Sequence, residues 1–339
     1  MRIIVVGAGP IGGIIGGRLA HHGNDVTFVD VDEEHLRAIR ERGLKVDVPD
    51  GSFTVSAPAV LPTQIQGKFD IGLIAVRSNH TREALTNLKP HLTDHAILVS
   101  LQNGINAPLL EEVVGPDHAI GVCIRMRSRK LAPGHVTTAL RGRLFIGHMH
   151  GKTTPQLTTV HALLDSVMPT EIMENIRGKL WSKLTYTCLG LLGSLADESA
   201  RKLCENETTR RVCIEFFGEI VAVGKTAGAR FEPLAEYDPN DFHPSRPFET
   251  RLASFVESAD KWPTDDRKGP VAQLKRGIKT EIDQVVGLVV DKGKKANIPT
   301  PVCRAVVQLI HEIEDGKRPL QLKNYADLAA IVSSRDREA

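Results

Sequence analysis

Short apolar runs alternate with longer amphipathic stretches through the first half of the chain. Ile3–Val6, Asp25–Val29, Phe69–Val76 and Ala96–Leu101 are rich in β-branched and aliphatic residues, as strands buried on both faces are. Between them, Ile11–Ala20, His35–Arg42 and Thr81–Leu88 follow a helical period. Val46–Ser56 alternates around Pro49-Asp50-Gly51 and reads as a small hairpin. Strand alternating with helix predicts a parallel sheet with right-handed crossovers. The β pattern returns in Ala119–Gly147, as three runs expected at the far, antiparallel edge of that sheet. Gln156–Ser166 is helical, and Met168-Pro169-Thr170 interrupts the pattern. From Ile176 the period is helical almost throughout: Ile176–Leu192, Glu198–Leu203, Thr208–Thr226, Leu274–Gly293 and Val302–Glu314. The segment 235–268 is polar and proline-punctuated around a helix-like piece, Glu249–Asp260, and reads as a lid or an insertion.

The first strand runs directly into Gly7-Ala8-Gly9-Pro10-Ile11-Gly12, a G-x-G-x-x-G placed between strand and helix. The first glycine allows the tight turn, the second lets a pyrophosphate approach the backbone, and the third lets helix and strand pack closely. The helix N-terminus adds N–H groups and a positive dipole end. The second strand ends in Asp30, close to the offset of about 20 residues expected for a ribose-binding carboxylate. The fold class is therefore α/β: an N-terminal Rossmann-type doubly wound sheet over residues 1–172, then an all-helical C-terminal domain over 173–339. In such a sheet ligands lie outside the carboxyl ends of the strands. That rule places Arg77, after the strand at 69–76, and Asn103, after the strand at 96–101, on the rim that holds the glycine loop.

Composition narrows the class without deciding it. The 339 residues carry a net charge of +2, too balanced for a nucleic acid or an anionic membrane as partner. No apolar run approaches the ~20 residues of a membrane span, and strand one starts at once, so a cytoplasmic protein without a signal peptide is expected. The five cysteines form no C-x-x-C and read as reduced thiols. Arg125, Arg127, Arg129 and Lys130 form a basic cluster that suits a solvated strand edge or an anionic substrate. His148-Met149-His150 has the spacing of two ligands on a strand face, but no carboxylate or cysteine is near it in sequence; it reads as a loop, and no metal is expected.

If the first domain holds a dinucleotide, the second must supply the substrate side, and reduction of a ketone needs an acid for the developing alkoxide. Lys179 and Lys183 share a helix face in Gly178-Lys179-Leu180-Trp181-Ser182-Lys183. Spacing alone makes each an ordinary solvated lysine.

Five motifs in order change that weighing: the glycine loop, Leu101-Gln102-Asn103-Gly104, Pro133-Gly134-His135-Val136, Lys179-Leu180-Trp181-Ser182-Lys183, and Lys279-Thr280-Glu281-Ile282-Asp283. Along nearly its whole length the chain resembles the ketopantoate reductase (2-dehydropantoate 2-reductase) family. The resemblance implies hydride transfer from a nicotinamide to a hydroxylated 2-oxo acid. It implies that Lys183 is the catalytic lysine, Glu281 the active-site glutamate that orients it, and Asn103 the asparagine near the nicotinamide ribose and reacting carbonyl. Arg77 stands where the family often has a cofactor lysine. The departures are specific. Thr187 and Leu191 occupy the places of two asparagines that hold substrate, Gly269 that of a serine, and Val31 that of an arginine suited to a 2′-phosphate.

With Asp30 and Val31 at that place, NAD(H) is the expected cofactor and NADP(H) the second choice. The expected activity is a dehydrogenase or reductase acting on a small 2-oxo acid or related ketone. True ketopantoate reductase and a catalytically inactive dinucleotide-binding sensor stand as alternatives, and a homodimer is the expected assembly.

Overall fold

The computed structural model of the chain describes residues 1–139, 141–262 and 269–338; of the 235–268 segment, 263–268 lie outside the described residues. Contacts divide the chain into two compact units, Met1–Arg177 and Gly178–Ala339.

The first unit begins β1 (Arg2–Val6), α1 (Pro10–His21), β2 (Asp25–Val29), α2 (Glu33–Arg42), β3 (Leu44–Val48), β4 (Gly51–Val55), β5 (Ala59–Val60) and β6 (Phe69–Ile74). It continues with α3 (Thr81–Leu88), β7 (Leu92–Ser100), α4 (Ala107–Val114), β8 (Ala119–Arg125), β9 (Ser128–Ala132), β10 (His135–Thr138), β11 (Arg143–Gly147), α5 (Pro155–Asp165) and β12 (Thr170–Ile172). Eight strands form one sheet in the order β12-β11-β8-β7-β6-β1-β2-β5. It is parallel from β8 to β5, and β11 runs antiparallel to β8. Successive residues of β1 enter opposite cores. Ile3 and Val5 join the cluster that includes α1, α2 and α5, while Ile4 and Val6 join the one that includes α3 and α4. Burial on both faces is why these strands read as unbroken apolar runs.

The return of β pattern after residue 119 divides between two sheets. β8 continues the parallel part of the main sheet and β11 adds to it antiparallel, with β12 outermost, whereas β9 and β10 leave it. They pair with the β3–β4 hairpin in a second, four-stranded sheet, β4-β3-β10-β9. That sheet packs on α1, and the glycines of α1 make the packing close. A β-carbon added at Gly16 would lie 2.7 Å from the Phe28 ring in the main sheet, and one added at Gly17 would lie 2.9 Å from Val46 in the small sheet. One helix therefore serves as a wall between two sheets, with glycines at the points of closest approach and Ile14, Ile15 and Leu19 buried in the core beside them.

The second unit is helical. α6 (Ile176–Ser194) is followed by α7 (Ala200–Glu205), α8 (Glu207–Thr226), α9 (Phe248–Ala259), α10 (Pro270–Lys275), α11 (Leu288–Lys295), α12 (Pro301–Glu314) and α13 (Asn324–Glu338). α8 is central, with α7, α9, α11, α12 and α13 packed against it. Buried Glu219 on α8 accepts the N–H groups of Val302 at 3.0 Å and Cys303 at 2.8 Å, satisfying the start of α12 where no capping side chain does so. The single helix expected over Leu274–Gly293 is interrupted. α10 stops at Lys275, Gly277 takes a φ of +66°, and a π-helical turn over Asp283–Gly287 precedes α11. The break is held from a distance, since both the N–H and the hydroxyl of Thr280 donate to Glu314 Oε1 at 2.7 Å.

Candidate functional site

In the first unit the glycine loop opens into a cleft of about 690 Å³ at the carboxyl ends of β1, β2 and β6. Gly7 has a φ of +101°, and a β-carbon there would lie 2.8 Å from the Ala75 backbone. A β-carbon at Gly12 would collide with the Gly7 carbonyl oxygen, whereas one at Gly9 would meet nothing within 4 Å. The loop is thus closed toward the protein and open at Gly9, Pro10 begins α1, and no side chain caps the first helical turn. Ile11 continues that turn and packs against the main core. Bare, open backbone at a helix start is what a dinucleotide pyrophosphate needs.

Asp30 lines the cleft with its carboxylate fixed. Oδ2 accepts the Ala8 N–H at 2.8 Å, and Oδ1 accepts those of Val31 at 2.8 Å and Asp32 at 3.0 Å. One lone pair, on Oδ2, remains available to a hydroxyl donor. Arg77 lines the same cleft from the end of β6. Lys130 from β9 and Asp32 also line it, paired at 2.6 Å. The Lys130 hydrogen bond, followed by the His35 N–H, holds the Asp32 carboxyl below its ordinary range.

Asn103 is exposed at the end of β7, in a turn held by its own backbone. Its carbonyl accepts the Ser78 hydroxyl at 2.8 Å and the Asn106 amide at 2.7 Å. Gln102 ties that strand end to its neighbour, donating to Val76 O at 3.0 Å and to Thr81 Oγ1 at 2.7 Å. Ser78, Gln102 and Asn106 are supports that sequence reasoning did not single out; Gln102 was within a quoted motif, but only its buried contacts reveal its task.

In the second unit Lys183 is half-buried on α6, one turn after Lys179, whose ammonium pairs with Glu232 at 3.8 Å. One turn further, the Thr187 hydroxyl donates to Lys183 O at 3.1 Å and so keeps only acceptor capacity. Leu191, two turns on, is 2% exposed. Glu281 is half-buried in the break between α10 and the π-helical turn, next to the residue that Glu314 anchors. Nearby, His311 bonds Asp283 at 2.9 Å and Glu314 at 3.2 Å. Burial disfavours its charge, but the two carboxylates outweigh burial and raise its pKa. Gly269, at the start of α10, is exposed.

Two family models match the chain in sequence. "Ketopantoate reductase PanE/ApbA" takes in residues 3–151, and its C-terminal counterpart takes in 175–314. The chain belongs to the ketopantoate reductase family. Among curated ketopantoate reductase relatives, the 2-dehydropantoate 2-reductase of Halobacterium salinarum is 28% identical over 315 residues, covering 91% of this chain and 98% of that protein. A solved PanE/ApbA family ketopantoate reductase from Ralstonia eutropha JMP134 is 28% identical with a TM-score of 0.79, covering 94% and 99% of the two chains. A D-mandelate dehydrogenase solved with NADH and anilino(oxo)acetate shares the fold at 19% identity and a TM-score of 0.75, covering 94% and 99%.

The protein is accordingly an oxidoreductase of ketopantoate reductase type with a nicotinamide dinucleotide as cofactor. Among the described residues, no group of three or more His, Cys, Asp or Glu side chains could hold a metal ion, and no helix is long and apolar enough to cross a membrane. His148 is buried against Ala119 O and Thr154 Oγ1, both at 2.8 Å, and His150 pairs instead with Asp117 at 3.0 Å.

Proposed function

We propose that this ketopantoate reductase relative uses NADH to reduce a 2-oxo acid, or a related ketone, that differs from ketopantoate. The observation that carries the cofactor preference is the fixed Asp30 carboxylate at the end of β2, facing the cleft. A carboxylate there accepts hydrogen bonds from ribose hydroxyls and repels a 2′-phosphate. Gly7, Gly9, Pro10, Ile11 and Gly12 would receive the pyrophosphate, with Arg77 and Asn103 further along the rim. When bound, the nicotinamide supplies the hydride.

The chain's own part is a proton and its control. Lys183 holds an ammonium that hydrogen-bonds the substrate carbonyl and gives its proton to the oxygen as negative charge develops. Glu281 orients that ammonium, and Asn103 orients the carbonyl. Thr187, half-buried, shapes the substrate's remaining contacts, whereas Leu191 is buried in the helical packing and offers no partner to it. With an acceptor-only hydroxyl at Thr187 and no amide at Leu191, the site favours a substrate with fewer hydroxyl groups. The test is cofactor oxidation over a panel of 2-oxo acids with NADH and NADPH. Highest kcat/KM with NADH and a ketone other than ketopantoate supports the proposal.

One observation favours a second reading of the cofactor. Lys130 and Arg77 line the same cleft, and cations there would tolerate a 2′-phosphate. Equal or better efficiency with NADPH would establish that reading and displace the first, as high efficiency with ketopantoate would identify a true ketopantoate reductase.

A further inference from the structure

His35 lies in the first turn of α2, beside the exposed acids Glu33 and Glu34, yet its side chain is buried, 1% exposed. Its ring joins two segments far apart in sequence. Nε2 lies 2.9 Å from Ala8 O in the glycine loop, and Nδ1 lies 2.9 Å from Gly134 N in the turn between β9 and β10. The partners fix the proton. A backbone N–H can only donate, so Nδ1 presents its lone pair to Gly134; a carbonyl can only accept, so Nε2 carries the hydrogen. The imidazole is neutral in its Nε2–H form, and both of its hydrogen-bonding positions are used.

What this does to the loop follows from peptide geometry. In a planar trans peptide the C=O and the N–H point in opposite directions. Holding the Ala8 carbonyl inward on His35 turns the N–H of Gly9 the other way, away from the ring, in a loop whose open side is marked by Gly9, where an added β-carbon would meet nothing within 4 Å. The preceding peptide is held as well, because its N–H, that of Ala8, is taken by Asp30 at 2.8 Å. His35 is itself seated by Asp32, which accepts its N–H at 3.0 Å and pairs with Lys130 of β9. Gly134 is equally constrained, with a φ of +73° and room for no β-carbon beside Ala38, 2.9 Å away.

We infer that His35, as the neutral Nε2–H imidazole, is a positioning residue for the dinucleotide. It aims the Gly9 N–H at the pyrophosphate and braces the loop against the β9–β10 turn of the second sheet. The inference rests on the reading of this cleft as the dinucleotide site.

Two substitutions separate the ring's two contacts. In His35→Asn the amide oxygen takes the place of Nδ1 and accepts from Gly134, but nothing reaches Ala8. In His35→Gln the amide nitrogen takes the place of Nε2 and donates to Ala8. Dissociation constants for NADH and NADPH, kcat at saturating cofactor, and the melting temperature without cofactor are measured for each. His35→Asn is expected to weaken both cofactors about 5- to 30-fold, the worth of one aligned hydrogen bond. His35→Gln is expected to stay within about 3-fold of the native protein, and kcat at saturation to be unchanged in both. Equal affinities in the two variants, or a loss of melting temperature alone, would overturn the inference. Nitrogen chemical shifts of His35 in the native protein test it without any substitution: an Nδ1–H tautomer or a doubly protonated ring would also overturn it. Native protein that binds neither cofactor would overturn the reading of the cleft, and the inference with it.

Discussion

Replacing Asp30 with asparagine removes one charge and almost no volume, and the geometry around it sets the size of the effect. The carboxylate accepts three backbone N–H groups, one through Oδ2 and two through Oδ1. An asparagine has a single acceptor oxygen. If that oxygen faces Val31 and Asp32, the amide NH2 confronts the Ala8 N–H, and the loop loses its anchor. If it is flipped, two N–H groups lose theirs. Either way at least one donor is stranded, at a cost of about 1–3 kcal/mol. A bond from a ribose hydroxyl to a charged acceptor is worth about 1.5–3 kcal/mol, so its weakening reduces NADH affinity roughly 10- to 150-fold. NADPH is affected differently, because the repulsion of its 2′-phosphate disappears together with the anchor. The expected outcome for Asp30→Asn is a large fall in kcat/KM for NADH, a much smaller change for NADPH, and a preference that moves toward NADPH. The assay is steady-state kinetics with both cofactors at fixed 2-oxo acid, with dissociation constants from nicotinamide fluorescence. Native protein as efficient with NADPH as with NADH, or a ratio unmoved by the substitution, would refute the reasoning.

Three further expectations concern the second unit. Lys183→Ala should lower kcat by roughly 100-fold or more while leaving cofactor affinity near native, and Glu281→Gln should also lower it, less than additively in the double variant; single-turnover measurements with undiminished rates would remove Lys183 from the chemistry. Asparagine at Thr187 should raise activity on ketopantoate about 5- to 150-fold, at the expense of the native substrate, and competition between the two substrates reads the outcome. His311 has a raised pKa in the folded protein, so its stabilising contribution is complete below its unfolded pKa of about 6.5 and is lost as pH rises through the folded value. Melting temperature should therefore fall over that window, and His311→Gln should flatten the slope; an identical slope in the variant would sever the link.

The two halves of the fold were legible for different reasons. Strands such as Phe69–Ile74 and Leu92–Ser100 are buried on both faces in their core portions, so periodicity and apolar length spoke for them directly. The second sheet was legible only in its β3–β4 hairpin. β3 and β10 are joined by pairs such as His135 with Lys45, and no local pattern in either strand names so distant a partner. The interruption between α10 and α11 depends on Glu314, 34 residues beyond Thr280, while Gly277 was a weak local hint. His35 was concealed in the same manner. Both of its partners are backbone atoms, 27 and 99 residues away, and backbone atoms leave no trace in composition. Lys183 and Glu281 gained their significance from the motif resemblance, since spacing alone would have left them ordinary charged residues.

The pairing of β3 with β10 also bears on how the chain reaches its native state. The β3–β4 hairpin is complete early in synthesis, but its open edge waits for residues some ninety positions later. Until β10 arrives, β3 presents unpaired N–H and C=O groups, and the face of α1 at Gly13 lacks Val136. Closure of that long loop makes completion of the second sheet a slow event in the first unit. The interval is one of exposed strand edge, when a nascent or truncated chain is prone to pair with another copy of itself. A chain ending before Ser128 would be trapped in that state, so the shortest fragment of the first unit that stays monodisperse on refolding should extend past Thr138, and light scattering of a truncation series would locate the threshold.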